Sequence, residues 1–214
     1  MVELVGTNSG DVYAIGRDAI AHWDGKTWSD VEIPDVKGDV FGGWTDGKQL
    51  IIVTNDWDKS TSWIYRRDEK GAWSLDGRSK GVLLNVGGSS DALYAIGNQG
   101  LILHRIKSGA WRDETVQHAD QYSQIYAASV DDIYIAGSSL LHSRGDGKWS
   151  DVKLPTTESA TTVWGRSSND VFAGTMGELF HFDGHAWSKT GWTRDVGPLA
   201  GNAKMVLVTN LRDE

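Results

Sequence analysis

His22, His104, His142 and His181 are the residues whose type and spacing most suggest chemistry. They sit in similar short contexts, AHW, LHR, LHS and FHF, and imidazoles in such a set could bind a metal. A shared zinc ion would need its donors within about 2.0–2.1 Å of one point. Near-regular recurrence along a chain argues for the opposite, one His in each of several units that radiate apart. Each is therefore expected to pack across its own sheet against a recurring tryptophan, Trp28, Trp111, Trp149 or Trp187, as a cross-strand pair. The other routes to catalysis lack their residues. The chain has no Cys and no G-x-S-x-G, H-E-x-x-H or phosphate-loop motif. The run NDWDKSTS lacks the Gly and the distant Glu of a calcium loop. Asp11, Asp91, Asp132 and Asp170 fall in polar turns, where Asp is expected to bond its own turn's backbone. No catalytic residue, metal or cofactor is expected.

The elements that hold these residues follow from an internal repeat. Short apolar runs begin at Val12, Ile51, Leu93, Ile133, Val171 and Val206, spaced 39, 42, 40, 38 and 35 residues apart. Each ends on a turn residue and reads as a buried strand. Five are followed by a second strand, a turn and a strand opening on Trp28, Trp73, Trp111, Trp149 or Trp187. Asp24-Gly25, Asp146-Gly147 and Asp183-Gly184 mark that turn, and Asp-Gly is a strong hairpin signal. A Gly- and Ala-containing strand precedes each run. The unit is thus a four-stranded antiparallel meander, A to D, with A innermost, which is the pattern of a propeller blade. The fold class is all-β: a small β-propeller over residues 1–214, five full blades and an incomplete sixth. The last pair, Leu199 to Asn210, is expected to lie between blades 5 and 1.

The segment VWGRSSNDVFAGTMGELFHFDGHAW, Val163 to Trp187, resembles bacterial propeller repeats of the form V-W-G-x-S-x-x-D-V-[FW]-A-V-G-x-x-G-x-[IL]-x-H-[FY]-D-G-x-x-W. Blade 1 matches nearly as well, blades 3 and 4 in part. Blade 2 departs most, with Tyr65 in the place of His. The resemblance implies a propeller used as a binding platform, and it leaves the ligand open.

Composition narrows the partner. A net charge of −8 disfavours nucleic-acid backbones and anionic membranes. No apolar run is long enough to span a bilayer, and the start of the chain shows no signal peptide, so a cytoplasmic location is expected. In a propeller the B–C loops and D–A connections emerge on one face. That face should gather Asp56, Trp57 and Asp58 with His118, Asp120 and Tyr122, and with Trp192, Arg194 and Asp195. Aromatics among acids suit a basic protein partner. The expected function is non-enzymatic protein binding, such as an immunity or inhibitor protein that masks a basic toxin or enzyme. The alternative is a lectin that binds carbohydrate in aromatic pockets.

Overall fold

The computed structural model describes residues 3–33, 36–117, 121–202 and 204–209. Its secondary structure is all β, and among the described residues no helix is long and apolar enough to cross a membrane. Blade 1 comprises β1 (Glu3–Asn8), β2 (Asp11–Ile15), β3 (Ile20–Trp23) and β4 (Trp28–Val31). Blade 2 comprises β5 (Asp39–Thr45), β6 (Leu50–Asp56), β7 (Thr61–Arg67) and β8 (Trp73–Lys80). Blade 3 holds β9 (Leu83–Ser89), β10 (Ala92–Gly97), β11 (Ile102–Ile106) and β12 (Arg112–Asp113). Blade 4 holds β13 (Tyr122–Ser129), β14 (Asp132–Gly137), β15 (Leu140–Ser143) and β16 (Trp149–Asp151). Blade 5 holds β17 (Thr162–Ser167), β18 (Asp170–Gly174), β19 (Leu179–Phe182) and β20 (Trp187–Lys189). A final pair, β21 (Leu199–Gly201) and β22 (Val206–Val208), forms a two-stranded sheet. The five four-stranded sheets and the short pair are the expected architecture.

Local chemistry sets the hairpins. In the turn from β3 to β4, Asp24 Oδ1 accepts from the amides of Lys26 and Thr27 at 2.8 and 2.9 Å. Asp183 does the same for His185 and Ala186 in blade 5. Gly25 and Gly184 supply the left-handed backbone these turns require, with φ of 91° and 92°. Inner strands lie side by side in chain order, β1 against β5, β5 against β9, β9 against β13, β13 against β17 and β17 against β21. Their close approach depends on glycine: a Cβ on Gly87 would stand 2.6 Å from Ile125 of the next blade.

The core lies between blades. Tyr13, Ile15 and Ile20 of blade 1 pack with Leu50, Ile52 and Trp63 of blade 2. Ile51, Val53 and Ile64, on the other face of blade 2, pack with Leu83, Val86 and Leu93 of blade 3. Alternate strand residues thus serve opposite neighbours, which is why the runs are apolar throughout and not alternating.

The histidines differ from expectation in what they touch. Each stacks on the aromatic residue opposite it on strand B: His22 on Tyr13, His104 on Tyr94, His142 on Tyr134 and His181 on Phe172, with ring centroids 4.3, 4.1, 4.4 and 4.4 Å apart. Three also meet a carboxylate at the start of strand B. His22, His142 and His181 Nε2 lie 2.8, 2.6 and 2.8 Å from Asp11, Asp132 and Asp170. Those Asp side chains therefore bind an imidazole as well as sitting in a turn. Opposite His22, His142 and His181 on strand D stand Ser29, Ser150 and Ser188.

The tryptophans reach back to the preceding blade instead of across to their own histidine. Trp73 Nε1 donates to the Glu32 carbonyl at 3.0 Å, Trp111 to Asp76 at 2.9 Å and Trp149 to Glu114 at 3.3 Å. Trp149 and Trp187 also set their rings edge-on to Tyr94 and Tyr134. Trp28 is the one expected to pack on His22. It is 51% exposed, because blade 1 has no described blade before it.

The last pair was expected to sit between blades 5 and 1. It buries Leu199, Val206 and Val208 against Phe172 and Leu179 of blade 5. Its other side leaves Leu207 exposed, and blade 1 leaves Leu4 exposed, so among the described residues the apolar faces a closed seam would cover stand open.

Candidate functional site

The inner strands place one half-buried acid at the axis. Glu3 opens β1 opposite Ile15, the end of strand B. The residues at the same place in blades 3, 4 and 5 are Asn85 opposite Ile96, Gln124 opposite Ala136 and Thr162 opposite Gly174. Only blade 2, with Val40 opposite Thr54, is apolar there. A polar residue on strand A at this register with strand B is thus a recurring feature, and Glu3 is its charged member. Strand A starts at the end of the molecule where B–C loops turn, so Glu3 lies toward the loop face that the sequence singles out.

The Glu3 carboxylate spans blades. Its Oε2 accepts from the Gly43 amide of β5 and its Oε1 from Asn85 Nδ2 of β9, both at 3.1 Å. Asn85 Nδ2 also donates to the Ser123 carbonyl of β13 at 3.1 Å, and Asn85 Oδ1 accepts from the Val86 amide at 2.7 Å. Four inner strands are tied through two side chains. Burial pushes the Glu3 carboxyl up to about 7, and the bonds from Gly43 and Asn85 pull only partly against it.

Beside this acid lies an axial cavity of about 230 Å³, lined by Glu3, Trp44, Asn85, Gln124 and Tyr126 among others. The Trp44 indole N–H donates to the Gly88 carbonyl at 3.0 Å and fixes one wall. The volume falls below the roughly 300 Å³ at which small-molecule pockets begin, so the cavity suits a single side chain. Among the described residues no three His, Asp or Glu gather as metal ligands.

The loop residues singled out by sequence divide. Trp57 sets its ring edge-on to Phe41 at 5.2 Å and remains 44% exposed. Asp56 closes its own loop, accepting from the Lys59 amide at 3.1 Å and the Lys59 ammonium at 2.7 Å, which holds its carboxyl below the usual range. Asp58 is exposed beside it. Trp192 donates to the Arg194 carbonyl at 2.9 Å and packs against the blade 5 cluster. Arg194 is exposed and Asp195 half-buried. Tyr122 begins β13 near the loop end but is core, not surface: at 1% exposure it packs between blades 3 and 4. His118 and Asp120 lie outside the described residues. Trp57 and Trp192 belong to blades 2 and 5, and each is anchored to its own blade. Sequence reasoning passed over Glu3, Asn85 and Gln124, whose polar recurrence shows only once the strands are aligned on their partners.

No protein-family model matches this chain, and no curated protein does. Solved structures do. "YCF48 bound to D1 peptide" is similar with a TM-score of 0.71 at 15% identity, over 96% of this chain and 72% of that one. Virginiamycin B lyase from Staphylococcus aureus is similar with a TM-score of 0.79 at 11% identity, over 98% and 77%. The computationally designed protein Ika8 has a TM-score of 0.72 at 11% identity, over 95% and 66%. These likenesses show a β-propeller fold.

Proposed function

We propose that this chain is a non-catalytic, protein-binding propeller whose axial mouth receives a basic side chain of its partner. The observation that carries the reading is Glu3, a half-buried carboxylate held by Gly43 and Asn85 beside a cavity sized for one side chain. An entering ammonium or guanidinium would find two donors already fixing the acid, so little reorganisation is needed on binding. The net charge of −8 steers such a partner toward the molecule. Exposed Asp58 and the half-exposed Trp57 ring add rim contacts for the surrounding segment. A propeller of similar fold is known bound to a peptide, which supports this use of the architecture. Masking the basic surface of a toxin or enzyme, as an immunity or inhibitor protein does, is the concrete role we favour. The carbohydrate alternative would need free aromatic pockets between blades, yet the indoles of Trp73, Trp111 and Trp149 already donate to the preceding blade.

Selection of a random peptide library against the full chain tests this. Peptides enriched in Lys or Arg are expected, with affinity that falls with salt and rises as pH climbs through about 7, where Glu3 ionises. Glu3→Gln should weaken a selected peptide by at least tenfold without lowering the melting temperature. Peptides with no basic preference, or equal binding by Glu3→Gln, would sink the reading.

A further inference from the structure

Two of the interfaces between blades share one arrangement, an indole set edge-on to the stacked pair of the preceding blade, and among the described residues blade 1 leaves its own indole without such a partner. In blade 5 the cross-strand pair Phe182 and Trp187, rings 5.4 Å apart and tilted 32°, packs on Tyr134 of blade 4. Blade 1 carries the same device in Trp23 and Trp28, 5.7 Å apart and tilted 43°. Here the plug has no socket: Trp28 is 51% exposed. On the same sheet face Leu4 stands opposite Ala14, and Ala14 opposite Ala21, and Leu4 is 67% exposed. The far end of the arc mirrors this, with Leu207 and Met205 56% and 52% exposed.

We infer that the open face of blade 1 receives a further four-stranded blade of the same repeat, one with a Tyr or Phe on its second strand stacked on a His of its third. The occupant is fixed by continuity with the interfaces already present. Trp149 meets the Tyr94–His104 stack and Trp187 the Tyr134–His142 stack, so Trp28 calls for a stack of that kind. The size of the gap agrees. This chain spans 72% and 77% of two propellers with which it shares its arc, leaving room for on the order of one to two blades. A whole second copy is too large for that sector, because two such arcs would overlap around a common axis.

The test is an extended chain, with residues 122–161 copied ahead of Met1 so that a second Tyr134–His142 stack precedes blade 1. Acrylamide quenching of tryptophan and binding of a hydrophobic dye should both fall relative to the unextended chain. Trp28→Ala should leave the melting temperature of the unextended chain unchanged and lower that of the extended one. The added copy carrying Tyr134→Ala and His142→Ala should remove that difference. Trp28→Ala neutral in both chains overturns the inference. So does an unextended chain that sediments as a dimer with Trp28 protected, since the face would then take another copy. Because an added blade can misfold, the unextended chain offers its own check. Trp28→Glu should be tolerated where Trp149→Glu is not, and equal losses from the two would show that the face is already covered.

Discussion

His104 is held differently from its three counterparts. Its Nδ1 lies 2.8 Å from Glu114 Oε1, whereas the others use Nε2 toward an Asp that starts strand B. Ala92 occupies that Asp position in blade 3, and among the described atoms His104 Nε2 is buried without a hydrogen-bond partner. Glu114 also accepts from the Trp149 indole, so one carboxylate serves two blades. Glu114→Ala should cost about 3 kcal/mol, the scale for removing one partner of a buried polar pair. Adding Ala92→Asp should recover part of the loss by meeting Nε2. Urea denaturation of both single variants and the double variant measures this coupling, and strict additivity would count against it. Glu3 makes a second prediction. Its carboxyl ionises near 4.5 when unfolded and at about 7 when folded. Between those values the unfolded chain holds fewer protons, so stability falls as pH rises and levels off above about 7. Melting curves from about pH 4 to pH 8 should show this slope in the native chain and a flatter one in Glu3→Gln. The acid was hidden in the sequence because nothing local marks it: its partners Gly43 and Asn85 lie 40 and 82 residues away.

At the scale of elements, the meander was legible and its packing partners were not. Apolar runs recur in every unit, opening tryptophans in five and Asp-Gly turns in three, so strands A to D could be placed from spacing alone. What a repeat cannot say is which neighbour a repeated residue touches. The tryptophans look like partners for the histidines of their own blade, yet the register sets Ser29, Ser150 and Ser188 opposite those histidines. Tyr122 misled for a similar reason: a residue beside a loop in sequence can already be the first buried residue of an inner strand. Since the strand-D indoles join blades, Trp149→Ala and Trp187→Ala should each cost up to about 3 kcal/mol, the low end for large aromatic truncations, because both rings are only half-buried. Equal and negligible losses, read by chemical denaturation, would mean that the blades are held by the strand B clusters alone.

The whole molecule is an arc of like units, so its stability should vary along its length. Blade 3 is flanked on both faces, and Leu93, Ala95 and Ile96 of β10 are fully buried. The final pair has one covered face. Amide exchange should therefore be markedly faster at 206–208 than at 171–174 of β18, and equal protection would show that the pair is as firmly seated as a full blade. The arc also has a direction. Blades 1, 3, 4 and 5 carry a stacked ring pair on strands B and C, and blades 2 to 5 extend an indole to the preceding blade, the indole that opens the last strand of its own blade. On a ribosome the receiving surface is therefore complete before the group that grips it emerges. Assembly can proceed as a one-way ratchet, each unit locking as its final strand appears. In such a scheme the early blades are templates for the later ones, and a lesion in blade 2 would delay every blade after it while one in blade 5 would spare those already locked.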